Sequence, residues 1–118
     1  MTPVDPMAVA VDWLDAYRAA RINQIVGLYS RDAVIECACG GCKIIHGEAE
    51  IAAYWRHRFV ESPALELEEL QMDGGAVAVS YRTGSGIVQA LLDVTSHGLI
   101  SRCRCGPKEC GTLPLFPS

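Results

Sequence analysis

"INQIVGLYSRDAVIECAC", residues 22–39, changes its period partway along. Its first part, "NQIVGLYSRD" (23–32), reads as a short helix ending near Ser30, and "AVIECAC" (33–39) then alternates as a strand does. "GG" at 40–41 supplies a turn, and "CKIIHG" (42–47) is a short return strand closed by Gly47. Upstream, "DPMAVAVDWLDAYRAARI" (5–22) opens with an Asp cap and a first-turn proline, and Val9, Trp13, Ala16, Tyr17 and Ala20 recur at helical spacing. Downstream, "EAEIAAYWRHRFVE" (48–61) is a third amphipathic helix, with Ile51, Tyr54, Trp55, Arg58 and Phe59 near one face and Ser62-Pro63 as its stop.

Everything after residue 63 is strand-like. "ALELEELQM" (64–72), "AVAVSYR" (76–82), "IVQALLDVT" (87–95) and "LISRCRC" (99–105) are separated by "DGG", "TGSG" and "SHG", all tight-turn sequences. The tail "GPKECGTLPLFPS" (106–118), with three prolines, is irregular. Helices, a hairpin, one more helix and a long meander make an α+β pattern. The expected architecture is a cone of three helices packed into a strongly curved antiparallel (mixed) sheet, in a single domain spanning 1–118.

The bulk composition narrows the function. Half of the 118 residues are apolar, enough for a real core, and the net charge of −4 argues against a nucleic-acid partner, which needs a basic stripe. No segment approaches the ~20 apolar residues of a membrane span. The start lacks a basic region ahead of its apolar run, so a cytoplasmic location is the expectation.

The order of elements, together with "INQIVGLYSRDAVIE" (22–36), "IIHGEAEIAAYW" (44–55) and "TSHGLIS" (95–101), resembles the nuclear-transport-factor-2-like superfamily. That group includes SnoaL-like cyclases, ketosteroid isomerases, scytalone dehydratases and limonene-epoxide hydrolases. The resemblance implies a cystatin-like cone with a cavity and any activity of isomerase, hydrolase or lyase type. It does not carry over an intact catalytic set. The isomerase base falls at Cys37, beside Glu36, and its two oxyanion donors fall at Trp13 and Ala90. Tyr17 lies one turn beyond Trp13, and Asp93 is an odd number of residues from Ala90, so it belongs to the other sheet face. Arg82 and Asp93 hint at the epoxide-hydrolase arrangement without its second carboxylate. His46, His57 and His97 sit at a strand end, on a helix and in a turn, where surface histidines are the rule.

The six cysteines fall in two clusters, Cys37, Cys39 and Cys42, then Cys103, Cys105 and Cys110. Cys37 and Cys39 share a strand face, as do Cys103 and Cys105. In the resembling fold the first and last long strands are neighbours. The resemblance then turns Cys37, Ser101, Cys103 and Cys105 toward the cavity and Ile100, Arg102 and Arg104 outward, with Cys42 and Cys110 at the rim. Three readings stay open. The thiols are small apolar core residues; or Cys39, Cys42, Cys105 and Cys110 hold zinc or an iron–sulfur cluster; or opposed strand cysteines form a disulfide or redox pair. No cofactor is required by the first.

The leading expectation is that the cone binds, or slowly turns over, a small apolar molecule. Trp13, Tyr17, Tyr29, Trp55, Phe59, Cys37, Cys39, Ala90, Leu92, Cys103 and Cys105 would line it, with Cys37 the best-placed catalytic group. A metal or thiol-redox module and a non-catalytic dimerisation domain are the alternatives. A homodimer through the convex sheet face is expected. Arg58, near the end of the third helix, reads as a solvated charge that could otherwise reach an anionic ligand.

Overall fold

The computed structural model describes residues 5–37, 43–84 and 86–105. Helix α1 (Pro6–Arg18) starts where the Asp5 carboxylate accepts the Met7 N–H at 3.0 Å, with proline in the first turn where its missing donor costs nothing. It buries Ala10, Trp13, Leu14, Ala16 and Tyr17. Helix α2 (Ile22–Gly27) is shorter than the sequence suggests, and strand β1 (Tyr29–Cys37) begins where a helical end near Ser30 was expected. Tertiary pairing overrides the local pattern here: Tyr29 is in register with Ile100, and the Leu28 carbonyl accepts the Ile100 N–H at 2.7 Å.

Strand β2 (Lys43–His46) returns antiparallel to β1, and helix α3 (Glu48–Glu61) follows through Gly47 at φ +95°. A residue with a Cβ rarely adopts that backbone, which is why a glycine stands at the strand-to-helix corner. Strands β3 (Ala64–Asp73), β4 (Ala76–Thr83), β5 (Gly86–Val94) and β6 (Ile100–Cys105) then form the expected meander.

The six strands make one sheet in the order β2-β1-β6-β5-β4-β3. The β1–β6 pair is parallel and every other pair antiparallel, so the first and last long strands are neighbours, as the resemblance implies. Register shifts interrupt β3 twice, β1–β6 between Tyr29 and Val34, and β5–β6 beside Asp93. Such irregularities bend strands and increase twist, which lets a six-stranded sheet curl around helices.

The β6 irregularity also corrects one expectation. Asp93 opposes Arg102 while Val94 opposes Ile100, so Ser101 is the extra residue. Its hydroxyl donates to the Asp93 carbonyl at 3.2 Å, and Ile100, expected outside, is fully buried in the core. Beyond the bulge the alternation is as expected. Cys103 and Cys105 are buried, and Arg102 and Arg104 pair with Glu36 and Asp93 on the other face. No helix among the described residues is long and apolar enough to cross a membrane.

Candidate functional site

The concave side of the sheet is filled by rings from both long helices. Trp13 meets Trp55, Tyr17 and Tyr81 edge-to-face with centroids 5.6–5.8 Å apart, and Tyr17 meets Trp55 at 4.8 Å. Each such pair contributes about 0.5–1.5 kcal/mol beyond area burial. Of the residues expected to line a cavity, Trp13, Tyr17, Tyr29, Trp55, Cys37, Ala90, Leu92, Cys103 and Cys105 belong to this one cluster, with Phe59 packed against it half-buried. Cys39 lies outside the described residues. Trp13, Tyr17 and Trp55 are each only 1% exposed, so the deep part of the cone is occupied by the rings themselves. Tyr54, Phe59 and Val88 are partly exposed around it.

Arg58, like Ile100, lies deeper than the sequence suggests. It is 9% exposed, not solvated, and its guanidinium sits between α1, α3 and β4. Nε donates to the Tyr17 hydroxyl at 3.0 Å, and Nη2 reaches the Tyr81 hydroxyl at 3.5 Å. The Tyr17 hydroxyl in turn donates to the Ser62 carbonyl. Among the described residues no carboxylate contacts this charge, and Nη1 has no hydrogen-bond partner. Burial works against the arginine charge; the Coulombic pull of Tyr54, Tyr81 and Tyr17, which acts in full only once those phenols ionise, carries the pKa above the ordinary value. Burial also raises the pKa of all three phenols, so at neutral pH they offer dipoles rather than charge. A signal did exist in the sequence. Ile51, Trp55 and Arg58 stand at i, i+4 and i+7, one stripe of α3, and all three are buried.

A second polar chain lies deeper. Trp13 Nε1 donates to the Tyr29 hydroxyl at 2.9 Å, and that hydroxyl faces the Cys103 sulfur. Trp55 Nε1 lies near the same hydroxyl and is a buried donor with no hydrogen-bond partner among the described residues. Burial, with only partial relief from Tyr29, pushes the Cys103 thiol up to about 12, which keeps it neutral and non-nucleophilic. Cys37 is buried in register with Cys105, and the Tyr54 hydroxyl lies 3.4 Å from the Cys105 sulfur.

Of the proposed metal ligands, only Cys105 lies within the described residues, and Cys39, Cys42 and Cys110 fall outside them. Among the described residues no group of three or more His, Cys, Asp and Glu side chains is placed to hold a metal. The remaining candidates scatter. His57 pairs with Glu61 on the surface of α3, His46 and His97 are exposed, and Arg82 is held outside by Glu68 at 2.9 Å. Asp93 faces Arg104 at 3.7 Å on the outer side.

Comparison with known proteins gives a consistent picture of the fold. Residues 10–98 match the model of the SnoaL-like domain. A search of the curated proteins gives no match. Among solved structures, a SnoaL-like protein of unknown function from Burkholderia thailandensis superposes with a TM-score of 0.73 at 16% identity, over 86% of this chain and 92% of that one. A protein described as a putative polyketide cyclase from Sinorhizobium meliloti gives 0.72 at 20% identity, over 84% and 94%. A de novo designed protein with a curved β-sheet gives 0.70 at 20% identity, over 85% and 84%. Identities this low establish shared fold and nothing finer.

Proposed function

The chain belongs to the SnoaL-like domain family, and we propose that its cone binds a small, largely apolar molecule beside Arg58. The observation that supports this reading is the polar group at the heart of an aromatic wall. A core serving packing alone is most stable when apolar, because a buried charge without a countercharge is costly. Here a guanidinium stands among Tyr17, Tyr54, Tyr81 and Phe59 with donors to spare. The partly exposed rings of Tyr54 and Phe59 would contact the ligand body while Arg58 orients it.

Were the bound molecule also turned over, a fixed cation beside it would stabilise developing negative charge. Catalysis at Cys37 would require a thiolate, and Arg58 is the cation on the same side of the sheet. The test is a fragment screen read by the fluorescence of Trp13 and Trp55, the chain's two tryptophans, both in this cluster. Saturable quenching by apolar fragments, lost on substituting Phe59 by a bulky charged residue, is the expected result. Absence of any saturable ligand overturns the reading.

The placement of Cys37, Cys103 and Cys105 at one end of the β1–β6 pair supports a second reading, a thiol redox site or, only with further cysteines from outside the described residues, a metal site. Elemental analysis of protein purified without chelator tests it. Stoichiometric zinc or iron supports it, and metal-free protein with six titratable thiols removes it.

A further inference from the structure

We propose that Arg58 is an anion receptor, so that the molecule held in the cone is a monoanion with a planar oxyanion head, a carboxylate on a compact apolar body. The proposal deepens the binding reading above and rests on it. Three observations converge on this ligand class.

The first is charge. Arg82, Arg102 and Arg104, on the outer side of the sheet, each lie within 3.7 Å of a carboxylate, from Glu68, Glu36 and Asp93. Arg58 is more buried than Arg82 or Arg102 and is met by phenol hydroxyls instead. One positive charge calls for one negative charge. A dianion such as phosphate would leave an uncompensated charge against aromatic faces.

The second is donor geometry. Nε is held by Tyr17 at 3.0 Å, Nη2 has only the 3.5 Å contact to Tyr81, and Nη1 has no partner among the described residues. The available edge of the guanidinium is therefore its Nη1/Nη2 fork. Two parallel N–H bonds from that fork fit the two oxygens of a carboxylate.

The third is preorganisation. Tyr17 anchors Arg58 at Nε and is itself anchored to the Ser62 carbonyl, so the fork is fixed before any ligand arrives. The neutral phenols of Tyr54 and Tyr81 add hydroxyls that can donate to the same anion. Beside them the partly exposed rings of Tyr54 and Phe59, backed by the packed rings of Tyr17 and Trp55, supply the apolar surface for an aromatic or branched aliphatic body.

The experiment compares benzoate with its neutral isostere benzamide, and with toluene, by tryptophan fluorescence and thermal shift on the full chain. Wild type, Arg58→Met and Arg58→Lys are assayed. Benzoate is expected to bind wild type at least tenfold more tightly than benzamide. Arg58→Met should abolish that preference while still binding toluene. Arg58→Lys, which keeps the charge but loses the fork, should retain only part of it. Equal affinity of wild type for benzoate and benzamide, with toluene bound, overturns the anion receptor and leaves the apolar cone standing. An unchanged benzoate preference in Arg58→Met also overturns it, because the anion would then be held elsewhere. If none of the three probes binds wild type, the cone reading fails and takes this proposal with it. Should Arg58→Met not fold, the wild-type preference and its reduction in Arg58→Lys decide the matter.

Discussion

Replacing Arg58 by methionine separates a structural arginine from a functional one. The substitution keeps an unbranched stem but lacks the guanidinium head, whose space the flexible thioether fills only in part, so repacking costs about 1–2 kcal/mol. It removes one good charge-assisted bond, to Tyr17 at 3.0 Å, for which about 1.5–3 kcal/mol is the usual net value. The contact to Tyr81 at 3.5 Å is at the limit of a hydrogen bond and adds little. Against these losses stands the desolvation of a guanidinium with no carboxylate beside it among the described residues, several kcal/mol for an ion in such a place. The Tyr17 hydroxyl keeps its acceptor at Ser62 in the variant, so no new orphan forms there. The balance predicts Arg58→Met to be as stable as wild type or about 1–2 kcal/mol more stable. Urea unfolding followed by circular dichroism measures this, with an expected rise in midpoint of up to about 1 M. The thermal midpoint should rise in parallel, by about 4 °C per kcal/mol. A loss of about 3 kcal/mol or more would refute the reasoning, because the arginine would then be a keystone of the fold.

Tyr17→Phe does the reverse: it leaves the charge in place and strips Nε and the Ser62 carbonyl of their partner, so a loss of about 1–3 kcal/mol in the same assay is expected. Gly47→Ala forces a Cβ into φ +95°, and since no atom lies within 4 Å of that Cβ the cost is backbone strain alone, about 1–3 kcal/mol, readable as a lowered thermal midpoint with unchanged ligand binding. Stability should fall in alkali: the Cys103 thiol at about 12 and the phenols of Tyr17, Tyr29, Tyr54 and Tyr81 all hold their protons longer when folded than when unfolded. The unfolded chain therefore binds fewer protons above about pH 8.5, and each group contributes a slope of up to about −1.4 kcal/mol per pH unit until its folded pKa is passed. A urea midpoint flat from pH 8 to 11 contradicts this.

Most of the fold was legible because its punctuation is chemical. Gly74 at φ +64° and Gly98 at φ +81° occupy the turns that "DGG" and "SHG" announce, and Asp5-Pro6 marks the start of α1. Two features escaped for physical reasons. The bulge at Ser101 shifts the parity of a strand by one residue, and nothing in "LISRCRC" distinguishes a regular strand from one with an extra residue. Tyr29 left the helix for the sheet because Ile100, seventy-one positions away, offers it a parallel partner. Arg58 is a different case. The α3 stripe contained its position, but the usual exposure of arginine outweighed the periodicity, and the Tyr17 and Tyr81 hydroxyls that accept from it come from distant parts of the chain.

The thiols of the described strands can be understood through size. Several inner positions on β5 and β6 are small: Ala90 opposes Cys105, and Cys103 sits as the small residue between the larger Ile35 and Leu92 in the sheet. A curved sheet with bulky residues at those positions would leave no room for Trp13 and Trp55, so cysteine serves there as alanine does, with a polarizable sulfur to fill the gap. Cys103→Ala should then cost about 1 kcal/mol and leave ligand binding intact, whereas Cys103→Leu should cost about 1–3 kcal/mol by overpacking and shift the tryptophan emission. Equal stability of wild type and the leucine variant would show that space exists beside the rings. In that case the deep part of the cone, not only the surroundings of Arg58, would be open to a ligand.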